Sequence, residues 1–209
     1  NKKADGTFEP LRQRNVDTGM GLERTITVLQ GKNSVYETDM FAPILGALSE
    51  LSGREYGESP DITRAMRIVS DHIRTATFIL GDPKGVTPSN VDQGYVLRRI
   101  IRRAVRFGRR LALPEGFASR LAGVIIDRYA DVYPELSVNA ARITDELDKE
   151  ERRFAQTLDK GEREFEKVVR YMKDTTVLNG KTAFRLYDTF GFPIELTCEM
   201  AAEQGLTVD

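Results

Sequence analysis

The sequence predicts a mainly α-helical fold, and three observations carry that prediction. Apolar residues recur three and four positions apart over most of the 209 residues. Glycine and proline cluster between those stretches and mark where they stop. No internal repeat or low-complexity linker breaks the pattern. A chain of this length can build one or two compact domains with a real core.

The elements follow in order. "ADGTF" carries an Asp-Gly turn signal, so residues up to about Val16 read as the tail of a hairpin. After Gly19 the spacing of Leu22, Ile26 and Leu29 is helical, and Gly31 ends it. A second helix is expected over Asp39–Leu51, closed by "SGREYG". Within Asp61–Leu80, the residues Ala65, Val69, Ile73, Ala76 and Leu80 share one face, the stripe of a buried helix. "GDPKGVTPSN" then interrupts the chain, and helices are expected from about Asp92 to Leu111 and over Phe117–Tyr129.

From Ala140 to Met172 apolar residues recur at Ile143, Leu147, Phe154, Leu158, Phe165, Val169 and Met172, with charged residues between them. That pattern predicts one long solvated helix with a single packed seam, and Gly161 on the seam argues against a coiled coil. The last stretch reads as an Asn-Gly turn, a short helix stopped at Gly191, and a helix that Pro193 opens and Gly205 ends.

The formal charge of −1 and pI of about 6.1 say nothing about nucleic acid, but the charge is unevenly placed. "YVLRRIIRRAVRFGRRL" carries Arg98, Arg99, Arg102, Arg103, Arg106, Arg109 and Arg110, with no acid between Asp92 and Glu115. At about 100° per residue these seven fall within an arc of roughly 140°, opposite Leu97, Ile101, Ala104 and Val105. One side is expected to pack and the other to present guanidinium groups. Three readings fit: a phosphate-binding face, whose planar forks accept bidentate hydrogen bonds; a solvated helix paired with nearby acids; and a membrane-surface helix. The last requires an exposed apolar side, and this one reads as core.

A lone Cys198 excludes an internal disulfide and fits a reducing, cytoplasmic setting. No apolar run approaches the roughly 18–20 residues of a membrane span, and no signal peptide opens the chain. The start, "NKKADGTFEP" without an initiator Met, is expected to be an internal segment of a longer protein. One His and one Cys cannot make a zinc site, so no metal site is expected. His72 reads as a partly buried, satisfied side chain and Cys198 as a small residue facing its helix.

"NVDTGMGLER", Asn15–Arg24, places an acid, two glycines and an arginine around the first helix start. Free N–H groups near Thr18–Gly21 would suit an anion or carbonyl, and the glycines let a small ligand lie against the backbone. Asp17 can hold an ammonium group and Arg24 can reach a phosphate. The competing reading is a Gly-containing turn with an ordinary acid and a surface arginine.

"VDTGMGLER" resembles motif 3 of the class II aminoacyl-tRNA synthetases, in the form seen in the alanyl-tRNA synthetases. "RIVSDHIRTATFIL", "PSNVDQGYVLRRIIRRAVRFGRRL" and "LYDTFGFPIELT" resemble the helical tRNA-recognition region that follows that family's catalytic core. The resemblance covers nearly the whole chain. It implies residues 1–35 as the C-terminal strand and helix of the class II α/β core, and residues 36–209 as a helical acceptor-stem-binding domain. It implies an alanine–tRNA ligase, using ATP and Mg2+ to activate alanine and transfer it to tRNA. By motif match, Arg24 contacts the ATP γ-phosphate, Asp17 the alanine ammonium, and Gly19 with Gly21 the small alanine pocket. Asn90 and Asp188 read a G·U wobble pair in the acceptor stem, while Arg98, Arg99, Arg102, Arg103 and Arg106 position its backbone. Any zinc of the family lies outside this chain. Motifs 1 and 2 have no counterpart here, so this segment alone is expected to be inactive. The rival is a helical RNA-binding or scaffold module without synthetase chemistry.

Overall fold

The computed structural model describes residues 1–172 and 175–209. They form two compact units, Asn1–Met40 and Phe41–Asp209.

In the first unit, the Asp-Gly turn closes only one antiparallel bridge, Lys2↔Phe8. No strand follows it: residues 9–21 are irregular and largely exposed. Around that turn Asn1–Lys3 and Thr7–Glu9 pair through backbone hydrogen bonds, so the expected hairpin forms as far as Glu9. Residues 10–21, including the strand expected before the first helix, find no hydrogen-bonding neighbour in this unit and form no strand. Helix α1 (Leu22–Leu29) begins at Gly21 without a side-chain cap. Gln30 beyond its end exchanges hydrogen bonds with Asp39, its Nε2 donating to Oδ1 at 2.7 Å and its Oε1 accepting from the Asp39 N–H at 3.2 Å.

The second unit holds eight α-helices among the described residues, α2 (Ala42–Ser52), α3 (Pro60–Gly81), α4 (Asp92–Arg110), α5 (Phe117–Tyr129), α6 (Pro134–Val138), α7 (Ala140–Tyr171), α8 (Gly180–Phe190) and α9 (Ile194–Glu203). Their boundaries have local causes. α2 stops at Gly53 in the left-handed conformation, φ +65°. Ser59 caps α3 by accepting from the Ile62 N–H, and Pro60 takes the first position, where a missing N–H costs nothing. The far end of α3 is capped by α7: Arg142 donates to the Leu80 and Asp82 carbonyls at 2.6 and 2.7 Å, and Asn139 to Gly81 at 2.9 Å. Likewise α5 has no cap of its own. Glu151 of α7 accepts from the Gly116 and Ala118 N–H groups instead, at 2.8 and 3.1 Å.

The expected stripe of α3 (Ala65, Val69, Ile73, Ala76, Leu80) is fully buried, and α3 packs mainly on α4. α7 runs unbroken for 32 residues and buries Ile143, Leu147, Phe154, Leu158 and Phe165 along one seam. Gly161 is a notch in that seam. A Cβ there would overlap the ring of Phe192, which is fully buried and stacks edge-on to Phe154 at 5.4 Å. The glycine that argues against a coiled coil is therefore the seat of the loop joining α8 to α9.

Several details differ from the sequence expectation. Asn179 is not in a turn but caps α8, its side chain accepting from the Lys181 N–H at 2.7 Å. Pro193 stands just before α9 rather than at its first helical position. The short helix α6 carried too few residues for a periodic signal. Val177–Leu178 (β1) and Thr207–Val208 (β2) form a two-residue parallel ladder that brackets α8 and α9. Cys198 faces solvent rather than its helix neighbours.

Helix-interior Gly→Ala ordinarily gains about 1 kcal/mol from propensity. At Gly161 the overlap with a ring that cannot move should dominate. Gly161→Ala is expected to lower stability by about 1–3 kcal/mol, read as a shift in the urea midpoint with unchanged slope.

Candidate nucleic-acid interface

α4 buries Leu97, Ile101, Ala104 and Val105, as expected. The opposite side is not a row of bare guanidinium groups. Its seven arginines meet six carboxylates, three from α7 and three from α9. Arg98 and Arg102 approach Glu150, 1% exposed, at 3.3 and 2.6 Å. Arg99 pairs with Glu195 at 2.5 Å. Arg103 grips Glu199 through both fork nitrogens, at 2.8 and 2.6 Å. Arg106 and Arg110 share Glu203, each with bonds at 3.2 Å and one shorter. Arg106 also lies 3.6 Å from Glu162, and Arg109 pairs with Asp159.

Both sides of α4 are therefore packed. The expectation of one presented guanidinium face gives way to a carboxylate-covered seam, and the charge explains it: buried arginines need anionic partners. The signal for it was in the sequence. Glu195, Glu199 and Glu203 repeat at four-residue spacing on α9, matching Arg99, Arg103 and the Arg106–Arg110 pair on α4.

The seam differs along its length. Arg106 is 4% exposed and Arg102 donates to the Gly191 carbonyl with its guanidinium 5.1 Å from the Phe154 ring, so both are interior residues. Burial pulls the Arg102 guanidinium below its ordinary range, although Glu150 opposes the shift. Arg99 and Arg103 keep about a third of their side chains in solvent. The hydrogen bond to Glu199 raises Arg103. His72 sits beside it, accepting at Nε2 from Arg103 at 3.0 Å while Nδ1 faces Asp71 at 3.2 Å.

Asn90 stands in the loop before α4, exposed, and its Oδ1 accepts from Arg98, whose other fork nitrogen reaches the Pro88 carbonyl at 3.3 Å. The loop is shaped by close contact: a Cβ on Gly94 would overlap Ser89 and the Thr87 carbonyl. Asp92 holds a left-handed φ of +50°, rare outside glycine. Asn90 lines a cleft of about 450 Å3 with Tyr95, Phe184, Tyr187 and Ile194. Asp188 is the next residue of α8 after Tyr187, exposed, and not part of the cleft lining.

In the first unit, Asp17 and Gly19 lie on the exposed irregular segment, and nothing lies within 4 Å of a Cβ placed on Gly19. Gly21 and Arg24 do come together: a Cβ on Gly21 would stand 3.1 Å from Arg24 Nε. The N-cap is Gly21, so the open N–H groups are those of Gly21, Leu22, Glu23 and Arg24, at the end of the expected Thr18–Gly21 range and just beyond it.

Burial alone would raise Glu195, Glu199 and Glu203, yet hydrogen bonds hold all three below the usual carboxylate range, from its own backbone N–H, Arg99 and Tyr95 at Glu195 and from the arginine partners at Glu199 and Glu203. A depressed folded pKa adds stability above the unfolded value, here 4.5, which is lost as pH falls through the folded one. Stability is therefore expected to drop below about pH 4.5, and Glu199→Gln to flatten that drop in urea melts across pH 2.5–6.

The family described as tRNA synthetases class II (A) matches residues 1–209. The chain is 55% identical over 210 residues to the alanine–tRNA ligase of Treponema pallidum (strain Nichols), covering all of this chain and 35% of that protein. It is 48% identical to the alanine–tRNA ligase of Borreliella afzelii (strain PKo), again 35% of the relative, and 46% identical to that of Dehalococcoides mccartyi (strain ATCC BAA-2266), 24% of the relative. It thus spans about a quarter to a third of the relatives it matches. The matched family, the helical architecture and the arginine helix agree, and this chain belongs to the class II tRNA synthetases.

Proposed function

We propose that this chain is the acceptor-stem-reading segment of an alanine–tRNA ligase, with residues 1–35 contributing motif 3 and residues 36–209 the helical tRNA-recognition domain. One observation carries the reading: Arg98 ties Asn90 to the rim of an aromatic-lined cleft whose far wall is α8, the helix of Asp188. The Asn90 amide thus stands at the opening, and the helix that forms its far wall carries the exposed Asp188 carboxylate. The wide minor groove of A-form RNA displays base edges that short polar side chains can reach. Asp188 accepts only, which suits the exocyclic amino group of the guanine in a G·U pair. With its oxygen held by Arg98, Asn90 offers its NH2 to a uracil carbonyl.

Arg99 and Arg103, which keep about a third of their side chains in solvent, take the stem phosphates by exchanging Glu195 and Glu199 for them once base readout holds the stem. Arg98 acts by orienting Asn90, and Arg102 and Arg106 act from the interior by fixing the seam. The parent protein activates alanine with ATP and Mg2+. Arg24 steadies the γ-phosphate, Asp17 binds the ammonium, and Gly19 and Gly21 leave room for a methyl side chain only. Catalysis there rests on positioning and charge neutralisation.

Binding of minihelices carrying G·U or G·C at the wobble position tests the base-reading assignment. Asn90→Ala and Asp188→Ala are each expected to cost about tenfold in affinity for the G·U stem and little for G·C. Equal wild-type affinity for both stems would remove the assignment. In the full-length protein, Arg24→Ala is expected to abolish most ATP–pyrophosphate exchange, while the 209-residue chain alone should show none.

A further inference from the structure

Glu195, Glu199 and Glu203 sit one helical turn apart and fill successive guanidinium forks along α4. Arg64 of α3 adds to the same row, 2.9 Å from Glu199 and 3.9 Å from Glu203. The bonds at Glu199 and Glu203 have the parallel two-nitrogen geometry by which an arginine takes a phosphate. The seam is open at its edges, with Arg64, Arg99 and Arg110 between a third and a half exposed.

Resting on the RNA-binding reading above, we propose that Glu195, Glu199 and Glu203 are specificity-determining residues that occupy the phosphate-binding forks of α4 and suppress RNA binding that lacks base readout. An uncovered row of arginines would bind any polyanion, because phosphate neutralisation and counterion release ignore sequence. A row already neutralised gains little from a phosphate, since each new contact must displace a carboxylate held by two hydrogen bonds. Discrimination then depends on the uncovered polar groups, Asn90 and Asp188. The same carboxylates are held ionised by their partners, so the cover persists at neutral pH.

The test compares Glu195→Gln/Glu199→Gln/Glu203→Gln with a control that removes equal charge elsewhere, Glu50→Gln/Asp127→Asn/Glu166→Gln, whose side chains are exposed. Minihelix affinity is measured against salt for G·U and G·C stems. The seam variant is expected to bind the G·C stem more tightly, to steepen the log–log salt slope by roughly 2–3, and to narrow the G·U preference. The control should leave the slope unchanged. Equal behaviour of the two triple variants, or an unchanged slope in a seam variant that melts cooperatively, overturns the proposal. If the triple variant does not fold, Glu195→Gln alone decides: its pair is the most exposed of the three, and it should steepen the slope by about 1. A wild type blind to G·U whose seam variant still steepens the slope would defeat the base-reading assignment and the specificity role, while leaving the carboxylates' suppression of phosphate binding intact.

Discussion

Everything in the larger unit is arranged around the need to neutralise α4. Its apolar side closes the core with α3, and its arginine side must still lie against protein. Removing one member of a buried ion pair typically costs about 3–5 kcal/mol, because the other charge is left stranded. Glu150 is the sharpest case, at 1% exposure between Arg98 and Arg102, with the Gly191 carbonyl as a further acceptor for Arg102. That one carboxylate couples α7, α4 and the α8–α9 corner. The position of Asn90 follows from the same knot, since Arg98 reaches both Glu150 and the Asn90 side chain.

The aromatic packing completes the arrangement. Phe107 is 1% exposed, and the guanidinium carbons of Arg64, Arg103, Arg106 and Arg110 lie 5.1–5.6 Å from its ring centre. The ring faces cations that are already paired with carboxylates, so it adds packing and modest electrostatic attraction without bearing their charge. Interior arginines, a buried ring and α9 carboxylates form one layered contact.

Local signals were legible where the physics is local. The α3 stripe, the Gly53 and Gly191 stops and the Ser59–Pro60 start are written within a few residues of where they act. What escaped depends on distant partners. Glu151 caps a helix that begins 34 residues earlier, and Asn139 with Arg142 caps one that ended 58 residues before Asn139. The Gly161 anomaly was visible, but its cause, a ring from residue 192, was not. At the candidate site, the residue types of Asn90, Asp188 and the motif 3 group were readable by resemblance. The carboxylate cover of α4 was readable only by comparing two helices that sequence separates by about a hundred residues.

The β1–β2 ladder is only two residues long, yet its direction matters. Because the pairing is parallel, the chain enters and leaves the α8–α9 segment side by side and pointing the same way. Tension applied across residues 177–208 would load these few backbone hydrogen bonds in shear, while the two helices between them carried none of it. The segment is mechanically a closed handle, sheltered from strain that passes along the chain, and it is the part that carries both Asp188 and the three carboxylates.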